Sequence, residues 1–449
     1  MSTDSRTVST HTADYIPAAV CFTVITAPQT ITKTYAKDAA GQLVSKAAAA
    51  VGRSIAERVT VTTASELAQC INQLTKNQAI MHGVHDADHV TVYSQKRYNA
   101  LSDKRGAVTR TKAMTAWPAG GGVLVVDYDP PAGGDGWTLE QLKTELRHIL
   151  PELDAVAHVT GYSSSSYIYD GDVQLQAQRG LRIYILVTDA SDIPRAGQVI
   201  FDRLWLGGHG YYALSKSGGM LNRSAIDSSV WQPSRLDFAS GAACTAPINQ
   251  RRPAAAAYDG ALLDTHTALP DLSDAERSRL DTLQANAKHA VKPQATRVRG
   301  EYTTGRAKQQ LEREGVQNAN PERLAAVKQQ IERSLDGGVL HADWLVMLAD
   351  RSLVTVADIY ADRAKYHCVT CKDPVEHDYN DYHTCAIIYT DRNSVRIVSQ
   401  AHGQRTYTCQ RVDFARLKAQ QITLPHNDIA ELFVNHALDC TVLAYSYAM

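Results

Sequence analysis

The sequence carries no surplus of charge: 46 lysines and arginines face 47 aspartates and glutamates, for a formal net charge of −1. No global basic field draws such a chain to nucleic acid, so contacts of that kind have to use local patches. Long apolar runs are missing too, which removes the membrane from the expected partners. The opening Met1-Ser2-Thr3-Asp4-Ser5-Arg6 has none of the basic-then-apolar pattern of a secretory leader. Cysteine is sparse, with Cys21, Cys70, Cys244, Cys368, Cys371, Cys385, Cys409 and Cys440 scattered over 449 residues. That excludes a small disulfide scaffold and leads us to expect a reducing, cytoplasmic setting with room for one metal site. A phosphate loop is absent from Gly300–Arg306, because Gly305 is followed by Arg306-Ala307 where Lys and Ser or Thr are required. What remains is ordinary globular composition, 44% hydrophobic and 21% charged, and length enough for two or three domains with their own cores.

One stretch stands out, Gly121-Gly122-Val123-Leu124-Val125-Val126-Asp127-Tyr128-Asp129-Pro130-Pro131. Four aliphatic residues between Gly-Gly and Pro-Pro read as a buried central strand. Side chains alternate along a strand, so Asp127 and Asp129 project from one face, roughly 6–7 Å apart at about 3.3 Å per residue. Two carboxylates so placed repel unless a cation lies between them, and a hard divalent ion suits oxygen ligands. Solvated charge at a strand end, or a cap for the next helix, is the plainer alternative. A calcium loop of the EF-hand kind fails, since Pro131 and Ala132 stand where an acid and the obligatory Gly belong.

Ahead of this strand, residues 61–80 have helical spacing at Leu67, Cys70, Ile71 and Leu74. Met81 to His89 reads as a polar loop rather than a metal site. Lys96 to Arg105 reads as a solvated basic loop. Arg110-Thr111-Lys112 leads directly toward the acidic strand, and its cations suit phosphates. Behind the strand, Gly133-Gly134-Asp135-Gly136 is a turn, and Thr138-Leu139-Glu140-Gln141 forms a capping box that opens a helix. Ala155 to Thr160 predicts a strand that runs into Ser163-Ser164-Ser165-Ser166, a loop whose hydroxyls and N–H groups can cradle phosphate. Gly180 to Val187 is a further strand, with Arg182 and Tyr184 on one face. A helix over 193–206, a strand over 211–214 and a turn over 215–219 follow. Lys216 and Asp227, taken singly, read as surface charges.

Pro253 and the alanines after it suggest a connection between domains. From about 270 to 350 the pattern is helical and charged. Over 288–333 basic residues outnumber acidic ones, which reads as a solvated face with nucleic-acid contact as the rival. Short strands return over 352–412 around Cys368-Val369-Thr370-Cys371, His383, Cys385, His402 and Cys409. A zinc ribbon needs a second clean Cys-x-x-Cys, so zinc is not favoured there.

Together these residues resemble the archaeo-eukaryotic primase superfamily, in the primase-polymerase form found on phages, plasmids and integrated elements. Val126-Asp127-Tyr128-Asp129 is similar to its first motif and Ile226-Asp227 to its third. The serines of the second motif are present at 163–166, while Arg182 in Gly180-Leu181-Arg182-Ile183-Tyr184 stands where the family has histidine. Arg also grips a triphosphate. Further likeness lies in Arg110-Thr111-Lys112, Ser215-Lys216-Ser217-Gly218 and Arg223 to Phe238. Asp373-Pro374 and Ser399-Gln400-Ala401-His402-Gly403 resemble the module that follows such primases in mobile-element replication proteins.

The resemblance implies an α+β protein with an RRM-like catalytic core. We divide it into an N-terminal segment 1–60, a catalytic domain 61–250, a helical charged segment 251–350 and a small β-rich module 351–449. It implies template-directed nucleotidyl transfer with Asp127, Asp129 and Asp227 holding two Mg²⁺ or Mn²⁺ ions. Ser165, Arg182, Lys216, Arg110 and Lys112 would bind nucleotide or template. The partners implied are single-stranded DNA, nucleoside triphosphates and a replicative helicase acting in trans. A catalytically degenerate DNA-binding protein that recruits a helicase, and a metal-dependent nuclease, are the alternatives.

Overall fold

The computed structural model describes residues 19–46, 52–130, 136–316, 320–391, 394–401 and 405–411. The chain is α+β and groups into two units. One is drawn from Met1–Ala213 with Asn222–Ala290, the other from Leu214–Leu221 with Val291–Met449. No helix among the described residues is long and apolar enough to cross a membrane.

The first unit runs through β1 (Val20–Thr26), β2 (Arg53–Val61), α1 (Ala64–Gln73), β3 (Gln78–Met81), β4 (His89–Tyr93), β5 (Ala107–Thr109) and β6 (Gly122–Tyr128). It continues through α2 (Leu139–Ile149), β7 (His158–Tyr162), β8 (Leu181–Val187), α3 (Ile193–Leu204), β9 (Leu236–Asp237) and β10 (Ala256–Tyr258). Shorter strands, Thr34–Lys37 among them, make small additional sheets. The larger sheet has the order β9-β3-β1-β2-β4-β5, and a second has the order β10-β7-β8-β6. The sequence separates residues 1–60 from 61–250, yet across that border β1 pairs with β3 and β2 pairs with β4 in one sheet.

Local sequence explains the helices. Thr63 caps α1 by accepting from the Glu66 N–H at 3.1 Å, and Ala64, Leu67, Ala68 and Ile71 line its buried face. The helical spacing expected over 61–80 stops early. Leu74 leaves the helix in an extended conformation, and Gln78-Ala79-Ile80-Met81 is a strand whose last three residues are buried. Its four residues are too few to show a period of their own. The capping box at α2 is present: Gln141 N–H donates to Thr138 Oγ1 at 3.2 Å, and the Gln141 side-chain oxygen accepts from Thr138 N–H at 2.8 Å.

The four-stranded sheet is covered on both faces. Leu124, Val126, Tyr128, Ile183 and Ile185 pack with Leu142 and Leu146 of α2 and Val199, Ile200 and Leu204 of α3. On the other face Val123, Val125, Val159, Tyr184 and Leu186 pack with Leu67 and Ile71 of α1 and with Val20 and Phe22 of β1. Each large side chain so buried contributes on the order of 1.5–3 kcal/mol.

Two expectations change here. β6 is an edge strand of its sheet, not a central one. Its continuous apolar run reflects burial of both faces; the outer edge is covered by residues 226–231, where Tyr128 bridges Ile226 and the indole N–H of Trp231 donates to the Val125 carbonyl at 2.8 Å. The alanine-rich stretch after Pro253 is no mere connection. It contains β10, which pairs antiparallel with β7 through Ala256↔Thr160 and Ala257↔Val159. Small side chains let that strand lie against α1, so its composition hides its pairing.

The second unit contains the latter part of α4 (Asp274–Arg313), α5 (Pro321–Gly337) and a five-stranded sheet that includes Ala386–Thr390, Val395–Ser399 and Arg405–Cys409. Asn320 caps α5 and Gly338, at φ +64°, ends it. Ile331, Trp344, Ile388, Ile397 and Tyr407 belong to its core.

Candidate functional site

The register of three strands builds the site row by row. Asp127 on β6 lies opposite Arg182 on β8, and Arg182 lies opposite Gly161 on β7. Opposed residues of antiparallel strands share a face, and so do residues two apart on one strand. The next row on that face therefore holds Asp129, Gly180 and Ser163. A Cβ at Gly180 would sit 2.8 Å from Asp129 Oδ1 and 3.0 Å from Ser163 Oγ, so only glycine lets these side chains meet over the strand.

Arg182 joins two carboxylates. Its Nε donates to Asp127 Oδ1 at 3.3 Å, and its Nη1 donates to Asp237 Oδ1. Tyr184, two residues further along the same face, donates to Asp237 Oδ2 at 2.9 Å. His82 Nε2 stands 3.5 Å from that same oxygen, and neither ring nitrogen finds a hydrogen-bond partner. Asp237 reaches this place because β9 pairs with β3 in the larger sheet.

The charges divide unequally. Burial pushes the Asp127 carboxyl up to about 6; Arg182 opposes that rise, and the negative charges of Asp129 and Asp237 add to it. Asp237 is also buried, which works against its ionisation, but Arg182 and then His82 bring it down to about 2. Burial disfavours the charged guanidinium of Arg182, yet Asp237 and Asp127 hold its pKa well above the usual value. Both carboxylates claim one guanidinium, and Asp237 has the stronger hold. Asp127 is left short of positive charge.

Asp227 is brought beside Asp127 through the main chain: its N–H donates to the Asp127 carbonyl at 2.8 Å. Its own carboxylate accepts from the Ser229 N–H at 2.9 Å and from Ser229 Oγ at 2.7 Å, capping a short turn at 228–230. Ser165 Oγ lies 2.9 Å from Ser163 Oγ, within a serine turn whose Ser163 N–H donates to the Gly180 carbonyl at 2.9 Å. Arg110 is half-buried, and its Nη1 donates to the Ser234 carbonyl at 2.7 Å. Lys112 is exposed. Lys216 is exposed in the turn of a hairpin, and it groups with the second unit.

Among the described residues, no three His, Cys, Asp or Glu side chains come close enough together to hold a metal ion. The donor types still suit a hard divalent cation: Asp127, Asp129 and Asp227 offer oxygen only, and Asp127 lacks counter-charge. In this structure Asp127 Oδ1 is bonded to Arg182, and the two Asp227 oxygens accept from Ser229.

Sequence reasoning missed Asp237 and His82. Asp237 sits in a two-residue strand with no periodic signal, and His82 opens a segment read as a polar loop, although His82 and His85 are both buried. In the second unit the two stretches singled out downstream do meet, since Ser399 Oγ donates to Asp373 Oδ2 at 2.7 Å. His402, Gly403 and Cys440 lie outside the described residues, as do Gly133, Gly134 and Asp135. Burial pushes the thiols of Cys371, Cys385 and Cys409 upward, Cys409 to about 12. Compared with protein-family models, with curated proteins and with solved structures, the chain matches none of them.

Proposed function

We propose that this protein carries out template-directed nucleotidyl transfer as a DNA primase or primase-polymerase of a mobile element, with an RRM-like core and in a cytoplasmic setting. The observation that carries this reading is the unbalanced charge at one end of the sheet. Asp127 and Asp129 share a face, Asp227 is tied to Asp127 by its backbone, and the one guanidinium bonded to Asp127 is shared with Asp237. Burial first, and then the neighbouring carboxylates, keep the Asp127 carboxyl at about 6 beside its guanidinium, and a bound divalent ion would favour its charged form.

Mg²⁺ or Mn²⁺, when bound, supplies activation of a 3′-hydroxyl and neutralisation of the triphosphate. Asp127, Asp129 and Asp227 would hold the ions. Arg182, anchored from behind by Asp237, keeps a fixed positive charge facing the nucleotide's phosphates, so little reorganisation is needed as charge develops on them. The serine turn around Ser165 offers hydroxyls to the same phosphates. Arg110 and Lys112 serve nucleotide or template, and a replicative helicase would act in trans.

The test is primer synthesis on single-stranded DNA with Mg²⁺ or Mn²⁺ and labelled ribo- or deoxyribonucleotides. Asp127→Ala is expected to abolish product while its melting temperature stays at or above that of the wild type. Full activity in that variant refutes the assignment, and degradation of the template points to a nuclease.

A second reading also has an observation behind it. The Asp127 and Asp227 carboxylates are engaged with Arg182 and Ser229. A degenerate primase that binds DNA and recruits a helicase would show this arrangement permanently. Wild-type protein that binds template but makes no product under either metal would favour it.

A further inference from the structure

Solvated charge on a loop needs no neighbours, yet the basic residues ahead of the acidic strand are held in place, two of them by aromatic rings. Arg53 opens β2 and lies opposite Tyr93, the last residue of β4. Its guanidinium stands 6.0 Å from the centroid of the Tyr93 ring. A short helix, Gln95–Asn99, follows β4 at once and carries Arg97 and Tyr98. Arg97 lies against Gly52, where an added Cβ would come 3.6 Å from Nη1. Lys104, in the turn before β5, places Nζ 4.9 Å from the centroid of the Tyr98 ring.

The three cations are exposed, and the two rings are half-buried. Among the described residues none of the three makes an ion pair. The acids nearest to them in sequence face other groups: Asp103 pairs with Arg105 at 2.7 Å, Asp88 with Arg58 at 3.0 Å, and Glu57 lies 3.4 Å from His89. Positive charge is therefore concentrated here in a chain whose total is −1. The patch also leads somewhere. Tyr93 is in register with Thr109 of β5, so Arg53, Tyr93 and Thr109 form one row on one face. Thr109 Oγ1 lies 3.0 Å from Thr111 Oγ1, which brings the turn with the exposed Lys112 back toward that row. Arg110, next along the chain, bonds to the Ser234 carbonyl, three residues ahead of Asp237.

We propose that this surface binds a single strand of DNA. Arg53, Arg97 and Lys104 contact its phosphates, Tyr93 and Tyr98 receive its bases, and the track runs past Lys112 toward the candidate site. This deepens the nucleotidyl-transfer reading and rests on it only for the strand being the template. Exposed, unpaired cations suit a phosphate backbone, and aromatic rings stack on any base, so the surface fits a strand rather than one sequence. A basic surface that continues into the candidate site favours a nucleic-acid strand over an anionic lipid surface, which would use the same cations.

The experiment uses the full chain and the fluorescence anisotropy of a labelled oligothymidine, in EDTA without nucleotides, at several salt concentrations. Arg53→Ala, Arg97→Ala and Lys104→Ala combined should weaken binding about tenfold or more. The slope of log K against log salt should flatten by about 2, since each phosphate contact to a single strand contributes about 0.7. Lys104→Ala alone should flatten it by about 0.7, which keeps the test readable should the combined variant fold poorly. Tyr98→Leu should weaken binding several-fold with the slope unchanged, because stacking releases no counter-ions. Loss of a merely structural contact would leave the slope alone. Wild-type protein that binds no oligothymidine, or a combined variant that keeps wild-type affinity and slope, overturns the surface. So does wild type that binds phosphatidylserine vesicles through these residues and not the oligonucleotide. Primer synthesis separates the two proposals. If the combined variant binds the strand like wild type and wild type makes primers, the surface falls and nucleotidyl transfer stands. If binding depends on the three cations but wild type makes no primers, the surface stands and the enzyme reading falls.

Discussion

On one face of β6, Leu124, Val126 and Tyr128 are buried against α2 and α3; on the other, Val123 and Val125 are buried, and then Asp127 and Asp129 follow. β8 repeats the contrast, with Ile183 and Ile185 on the helix side, and Tyr184 followed by Arg182 on the other. The strand alternation is the same on both sides, yet the helix side is apolar to the end of the sheet and the opposite side turns to charge. Both faces anchor the sheet, but on the second the apolar packing stops short of the strand end, where groups that do not favour the fold are held. The price is visible at Asp127, a buried acid that the structure leaves without enough positive charge.

The comparison breaks if the two faces respond alike to substitution. Ile185→Ala on the helix face should destabilise by about 2–5 kcal/mol in urea unfolding. Its activity per folded molecule should stay near that of wild type. A loss of primer synthesis out of proportion to the loss of folded protein would end the division of labour.

Asp237→Asn should come next in size. Removing one partner of a buried charge pair costs about 3–5 kcal/mol when the remaining charge is stranded, but Arg182 keeps Asp127, so a value of about 2–3 kcal/mol is expected. Because Arg182 is then held from one side only, the nucleotide KM should rise while template binding is kept. An unchanged KM would reduce Asp237 to a purely structural role.

The acidic face should also betray itself by pH. The Asp127 carboxyl is raised from 3.8 to about 6, so between those values the folded protein holds a proton that the unfolded chain has released. The stability this group contributes is full below about pH 4 and is lost as pH climbs through about 6. Metal-free Asp127→Asn should therefore be more stable than wild type at about pH 7.5, by on the order of 1–2 kcal/mol, and nearly equal to it at about pH 4. An identical difference at both pH values would contradict the raised carboxyl.

Lys112→Ala marks the small end of the scale. The side chain is exposed, so stability should stay within about 0.5 kcal/mol of wild type. A modest rise in the KM for template or nucleotide is the expected effect, measured in the primer assay.

Much of the scaffold was legible because it is written in periodic signals. The run before Asp127, the box at Thr138 and Gln141, and the strand around Arg182 all appear where spacing put them. What escaped notice has a physical reason in each case. Asp237 depends on a pairing between residues 236–237 and 80–81, which no local pattern reports. His82 was read from its polar neighbours, whereas its burial is decided by β9 and Tyr184. β6 was placed at the centre of its sheet because a strand buried on both faces looks central, whatever seals its edge. The alanines at 255–257 have side chains too small to show alternation.

The Asp227 carboxylate is occupied in this structure by Ser229, accepting from its N–H at 2.9 Å and from its Oγ at 2.7 Å. A cation drawing that carboxylate away would uncap the turn at 228–230, so the Ser229 amide should trade its proton for deuterium faster once Mn²⁺ is added. Ion uptake at this end of the sheet would thus be readable from a single main-chain position, with no nucleotide present.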